Sequence, residues 1–181
     1  TQIMPALALS WKISNRGRVY TFQLRQGVPF HSNRNFQPSR EFRADDVVFS
    51  FERQWQQDHA YHKVSGGNYP SFNGMGLKRL LAAVEKLNNY TVRFTLKQPD
   101  ASFLAILAMD FASILSAEYA AKMLAANTPE LVDQNPIGTG AFRLLDYEAD
   151  RQILYQVHDN YWAGRADITY LVFTIIADSA Q

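Results

Sequence analysis

Arg40-Glu41-Phe42-Arg43-Ala44-Asp45-Asp46-Val47-Val48-Phe49-Ser50-Phe51-Glu52-Arg53-Gln54-Trp55 is the stretch on which the fold turns. Val47, Val48, Phe51 and Trp55 fall at i, i+1, i+4 and i+8, one face of a 3.6-residue period, which predicts a helix with a buried stripe. Asp45 and Asp46 stand in its first turn. There carboxylates accept from orphan backbone N–H groups and oppose the positive end of the helix dipole, while Arg53 lies towards the negative end. The spacing also excludes an acid/base pair, because adjacent side chains on a helix point about 100° apart.

Upstream of this helix, residues 5–11 are short and apolar, residues 14–17 read as a turn, and residues 19–25 alternate as a strand with one wet face. Gly27 ends that strand and residues 30–38 form a polar loop. Downstream, residues 60–76 make a long loop with four glycines, a proline, and Tyr61, Tyr69 and Phe72. Its aromatics argue against disorder and leave two readings, a stack facing a ligand or a set of anchors pinning the loop. Residues 80–87 and 90–96 are predicted to be antiparallel strands joined by Asn88-Asn89, followed by helices at 101–108 and 117–126. A connector at 128–135 and a tight turn at 136–140 lead to a hairpin of residues 141–147 and 152–157. The nearly all-apolar residues 168–176 predict a strand buried on both faces. The sum is an α+β chain with several antiparallel strands, three main helices and one large loop.

The 181 residues are 47% hydrophobic and 19% charged, enough for a real core. Lys plus Arg is 18 against 17 Asp plus Glu, so no global field argues for nucleic acid. With no cysteine, disulfides and thiolate chemistry are excluded. No apolar run approaches the roughly 20 residues of a membrane helix. The start, Thr1-Gln2-Ile3-Met4-Pro5, has neither an initiator Met nor a targeting segment, and the end follows directly on a predicted strand. The chain is therefore expected to be an internal piece of something longer.

Catalytic signatures are absent from the sequence. His31, His59, His62 and His158 lack zinc-type spacing, which reads them as surface or capping residues and predicts no metal. Gly138-Thr139-Gly140 lacks the third glycine and the Lys-Ser/Thr pair of a phosphate loop and precedes a strand, so it is a turn. Ser65-Gly66-Gly67 offers a serine without a spaced base. No cofactor is expected.

Residues 5–11 (Pro-Ala-Leu-Ala-Leu-Ser-Trp), 20–28 (Tyr-Thr-Phe-Gln-Leu-Arg-Gln-Gly-Val), 44–53, 61–67 (Tyr-His-Lys-Val-Ser-Gly-Gly), 109–116 (Met-Asp-Phe-Ala-Ser-Ile-Leu-Ser) and 135–140 (Asn-Pro-Ile-Gly-Thr-Gly) together resemble solute-binding protein family 5. These are the peptide-binding proteins of ABC importers, and the likeness runs to their dipeptide-binding branch. Ala141 departs from the proline frequent there, and either residue suits a turn into a strand. The resemblance implies a three-lobed, type II-like periplasmic binding protein fold of roughly three times this length. Residues 1–140 would be mainly its additional lobe, and residues 141–181 strands returning to the first ligand-binding lobe. It implies a monomeric, non-catalytic, periplasmic or lipid-anchored protein that passes di- or short peptides to the membrane subunits of an ABC permease. The Asp and Arg that hold a peptide's charged termini in the family belong to a lobe outside this sequence. Of the residues present, Tyr61 matches a loop aromatic near the ligand, and Tyr61, His62, Ser65 and Gly66 are the expected ligand-binding residues. The same scaffold binding haem, glutathione or an antimicrobial peptide is an alternative. A purely structural lobe, or an enzyme using the large loop, are alternatives from other classes.

Overall fold

The computed structural model describes residues 2–176; residues 177–181 of the segment expected to return to the first ligand-binding lobe lie outside them. Four antiparallel strands form the first sheet in the order β1-β2-β4-β3. They are β1 (Ala8–Ser14), β2 (Val19–Leu24), β3 (Leu81–Asn88) and β4 (Thr91–Leu96). Tyr20, Phe22 and Leu24 of β2 alternate into the core beside Val92, Phe94 and Leu96 of β4. Period-2 side-chain direction puts them on one face and leaves Gln23 wet, as the alternation predicts. Helix α1 (Ala44–Trp55) covers that face, and Phe51 meets Phe94 edge-on with ring centroids 4.9 Å apart.

The first turn of α1 is anchored by charge. Asp46 has no solvent exposure. Its carboxylate accepts from both terminal nitrogens of Arg40 at 2.8 Å, from the Arg43 backbone N–H at 2.8 Å and from the Ala117 backbone N–H at 2.9 Å. Arg43 is the residue before α1, so its N–H is half of a capping box. Ala117 begins α5 (Ala117–Ala125), whose preceding Ser116 Oγ accepts from Tyr119 N at 3.1 Å. One carboxylate thus fastens two helix starts and a loop arginine. Asp45, one residue earlier, points outward to Lys86 on β3.

Outside these long helices the structure differs from expectation in instructive places. The apolar stretch at 5–11 contributes to β1, and the turn contracts to a 3-10 turn at Asn15–Gly17, because the segment pairs along β2 up to Ser14. The large loop holds one short helix, α2 (Pro70–Gly74), and a second, α3 (Leu77–Leu80), follows it, so Leu80 ends a helix instead of opening a strand. The helix predicted at 101–108 is a single turn, α4 (Phe103–Ile106), and the connector contains another, α6 (Leu131–Gln134). Two helices among the described residues are long, where three were expected; single turns carry too few hydrogen bonds to show a period.

The second sheet, β5 (Phe142–Glu148), β6 (Gln152–Val157) and β7 (Tyr170–Thr174), runs antiparallel in that order. Here one expectation fails. β7 is an exposed edge strand, with Val172 57% and Phe173 56% exposed, not a strand buried on both faces. Apolar content reports what a strand is suited to be covered by, and among the described residues nothing covers it.

Removing Asp46 leaves the half-buried Arg40 unpaired and orphans two helix-start N–H groups. Asp46→Ala is expected to destabilise by about 3 to 5 kcal/mol. Asp45→Ala, which loses only the exposed pair with Lys86, is expected to cost under about 1 kcal/mol. Urea denaturation of both variants checks this; equal costs would contradict the assignment of the anchor to Asp46.

Candidate functional site

Helix α1 ends at Trp55, and its last carbonyls need partners from outside the helix. His62 supplies one: its Nδ1–H donates to Arg53 O at 2.9 Å, which fixes that tautomer because a carbonyl can only accept. His62 is buried, so the capping part of the histidine expectation holds for it and the surface part does not. Tyr61, one residue earlier, is buried with its Oη donating to Ala120 O of α5 at 2.6 Å and its ring edge-on to Phe49 at 5.3 Å. Burial pushes its hydroxyl pKa up to about 12. Tyr69 Oη donates to His62 O at 3.2 Å, and Phe72 is wholly buried. Of the two readings of the loop aromatics, these contacts are those of anchors.

The other two predicted site residues lie at the surface. Ser65 and Gly66 are exposed, and Ser65 Oγ donates to Asp133 Oδ2 on α6. Gly66 at φ +86° and Gly67 at φ +67° turn the chain through the left-handed region, and a Cβ on Gly67 would meet His62 O at 3.3 Å. Asp133 Oδ1 in turn accepts from Arg53 Nη2 at 2.6 Å. Sequence reasoning missed Asp133 and the inward role of Arg53, which are 80 positions apart and carry no local signal. All four predicted residues therefore cluster around the end of α1, two as supports and two as exposed groups.

A second cluster forms where the two sheets meet. His31 donates its backbone N–H to Gly138 O and its Nε2–H to Gly140 O, both at 2.8 Å. The Gly138-Thr139-Gly140 turn is thereby occupied as a carbonyl acceptor. Arg143 on β5 donates to Ser32 O at 3.1 Å and to Gln156, and the Arg25 guanidinium lies 4.3 Å over the Trp162 ring. A polar cleft of about 630 Å³ flanks this joint, bordered by Arg40, Arg143 and His158. A second hollow of about 380 Å³ is lined by Thr139, Tyr155, Tyr161 and Trp162. His31 is buried, so the surface part of the histidine expectation does not hold for it. Burial lowers its pKa to about 4, with nearby His158 and Arg143 acting in the same direction. Among the described residues no group of three or more His, Asp or Glu side chains is placed to hold a metal ion.

The model of the bacterial extracellular solute-binding proteins, family 5 Middle, matches residues 2–181. The chain belongs to this family. Family 5 relatives share its sequence throughout: the dipeptide-binding protein of Escherichia coli is 53% identical over 99% of the chain and 34% of its own length. Haem-binding protein A of Haemophilus influenzae is likewise 53% identical, over 99% of the chain and 33% of its own length. The family 5 fold is shared too. The periplasmic binding protein DppA of Helicobacter pylori, solved with the peptide STSA, superposes with a TM-score of 0.91 at 42% identity, covering 99% of this chain and 35% of that one. The chain thus spans about a third of the length of the curated relatives it matches. No helix of the described residues is long and apolar enough to cross a membrane.

His31 sets a pH dependence. Its folded-state pKa, about 4, lies below the ordinary 6.5, so folding favours the neutral ring. Stability from this group is full above pH 6.5 and falls as pH drops towards 4, because the unfolded chain takes up the proton first. The loss is expected to reach roughly 3 kcal/mol. In urea titrations at pH 7 and pH 4, His31→Gln should flatten this part of the profile; an unchanged profile would contradict the assignment.

Proposed function

We propose that the chain is part of the extracytoplasmic substrate-binding component of an ABC transporter, which binds di- or short peptides and delivers them to the permease without catalysis. The observation that carries this reading is the 53% identity to a dipeptide-binding protein over 99% of the chain. A peptide-bound relative of the same fold supports it. In this reading residues 1–140 form the additional lobe and residues 141–181 return to the first ligand-binding lobe. The break falls between the two sheets, at the Pro136–Gly140 turn held by His31. The exposed apolar face of β7 would then be covered by the rest of the ligand-binding lobe.

Ser65 and Gly66 would face the peptide, with Tyr61 and His62 fixing the loop that presents them. Peptide would be enclosed by hinge closure between lobes, its side chains read through water-filled pockets. The protein would work outside the cytoplasmic membrane, periplasmic or lipid-anchored.

A second reading has the same support in identity: the haem-binding relative is also 53% identical. Calorimetric titration of the whole protein with a dipeptide panel, set against a spectral titration with haem, separates the two. The peptide reading expects saturable heat with dipeptides and no shift of the haem spectrum. Haem binding without peptide binding would replace it.

A further inference from the structure

The second sheet hangs from the rest of the chain by few polar ties, and no strand of it pairs with the first sheet. Among the described residues, four hydrogen bonds join residues 2–135 to the second sheet or to the turn before it. His31 makes two of them, to Gly138 O and Gly140 O; Arg143 Nη1 donates to Ser32 O, and the Ser116 N–H donates to Ile137 O. Arg25 over the Trp162 ring adds a cation–π contact. The cleft of about 630 Å³ borders this joint at Arg143 and His158, and the hollow of about 380 Å³ borders it at His31 itself. A displaced His31 ring therefore has water within reach.

Charge is laid out across the joint in a way that opposes a proton on that ring. His31 meets His158 edge-on, with ring centroids 4.8 Å apart. Arg143 also faces it from the second sheet, and among the described residues its guanidinium bonds neutral acceptors alone, Ser32 O and Gln156 Oε1. The Gly138-Thr139-Gly140 turn brings no titratable group, and Tyr155 and Tyr161 border the hollow with phenols that carry no charge in acid. Across the cleft, Arg40 is committed to Asp46 and Glu41 accepts from Tyr90. Asp159 follows His158 but is tied to Arg165 at 2.7 Å. No carboxylate among them bonds either histidine ring.

An imidazolium at His31 could still donate to Gly140 O, but it would be a buried cation beside an unbalanced guanidinium. Protonation therefore drives the ring towards water, and the neighbouring backbone bonds lose the packing that shields them. We propose that this joint is an acid-sensitive hinge: a proton on His31 releases the Gly138-Thr139-Gly140 turn and frees the second sheet to move against the first while each sheet stays folded. Such opening is local, whereas the pH dependence of overall stability loosens every element together, and it does not depend on any ligand. In the open joint His31 regains its ordinary pKa of 6.5 from about 4, so acid favours opening. Between pH 7 and pH 5 the open population is expected to rise about 20-fold.

Amide hydrogen exchange of the whole protein reads the hinge through three N–H groups. They are His31, bonded to Gly138 O across the joint; Leu24, bonded to Tyr90 O at the first sheet; and Val157, bonded to Thr169 O at the second. After correction for the pH dependence of chemical exchange, protection at His31 is expected to fall about 20-fold from pH 7 to pH 5, while Leu24 and Val157 keep theirs. In His31→Gln the side-chain amide can donate to Gly140 O but takes up no proton, so protection at residue 31 should be the same at both pH values. An equal fall at all three groups is general unfolding and would overturn the hinge, as would unchanged protection at His31. A fall that persists in His31→Gln would overturn His31 as its trigger.

Discussion

A carboxylate taken wholly out of water destabilises a fold unless its lone pairs are filled, and Asp46 is filled from three separate parts of the chain. Arg40 approaches from the preceding loop, the Arg43 N–H from the start of α1, and the Ala117 N–H from the start of α5. That geometry sets the position of α1 over the sheet and of α5 against α1. The loop at 59–69 depends on both, because Tyr61 is tied to Ala120 of α5 and His62 to Arg53 of α1. Ser65 and Gly66 are placed at the surface by this chain of contacts.

How much of this the sequence discloses follows the range of each interaction. The apolar period of α1 and the alternation of β2 and β4 are local patterns, and each appears where the residues predict it. Asp46 reads from sequence as a helix-start residue, which it is; its bond to Ala117 spans 71 positions and leaves no mark on spacing. Single-turn helices such as α3 and α6 escape for a different reason, since four residues cannot display a 3.6-residue period. The aromatics of the large loop are legible as aromatics, but whether they point inward or outward is settled by where α5 lies.

The edge strand β7 carries a separate lesson. Its residues are apolar enough for a strand covered on both sides, yet Val172 and Phe173 stand more than half exposed. A sequence records the environment of the whole protein, and this chain matches about a third of its relatives' length. The joint at His31 connects the two sheets through the carbonyls of the Gly138-Thr139-Gly140 turn, so the burial of one histidine couples the larger sheet to the smaller one.

The central claim is that this segment shapes a ligand site but does not complete one. Calorimetry with one dipeptide, run in parallel on the 181-residue chain and on the whole protein, tests it most directly. The account predicts saturable heat from the whole protein and none from the segment. Similar affinity in both would contradict it and make the loop around Ser65 the principal site.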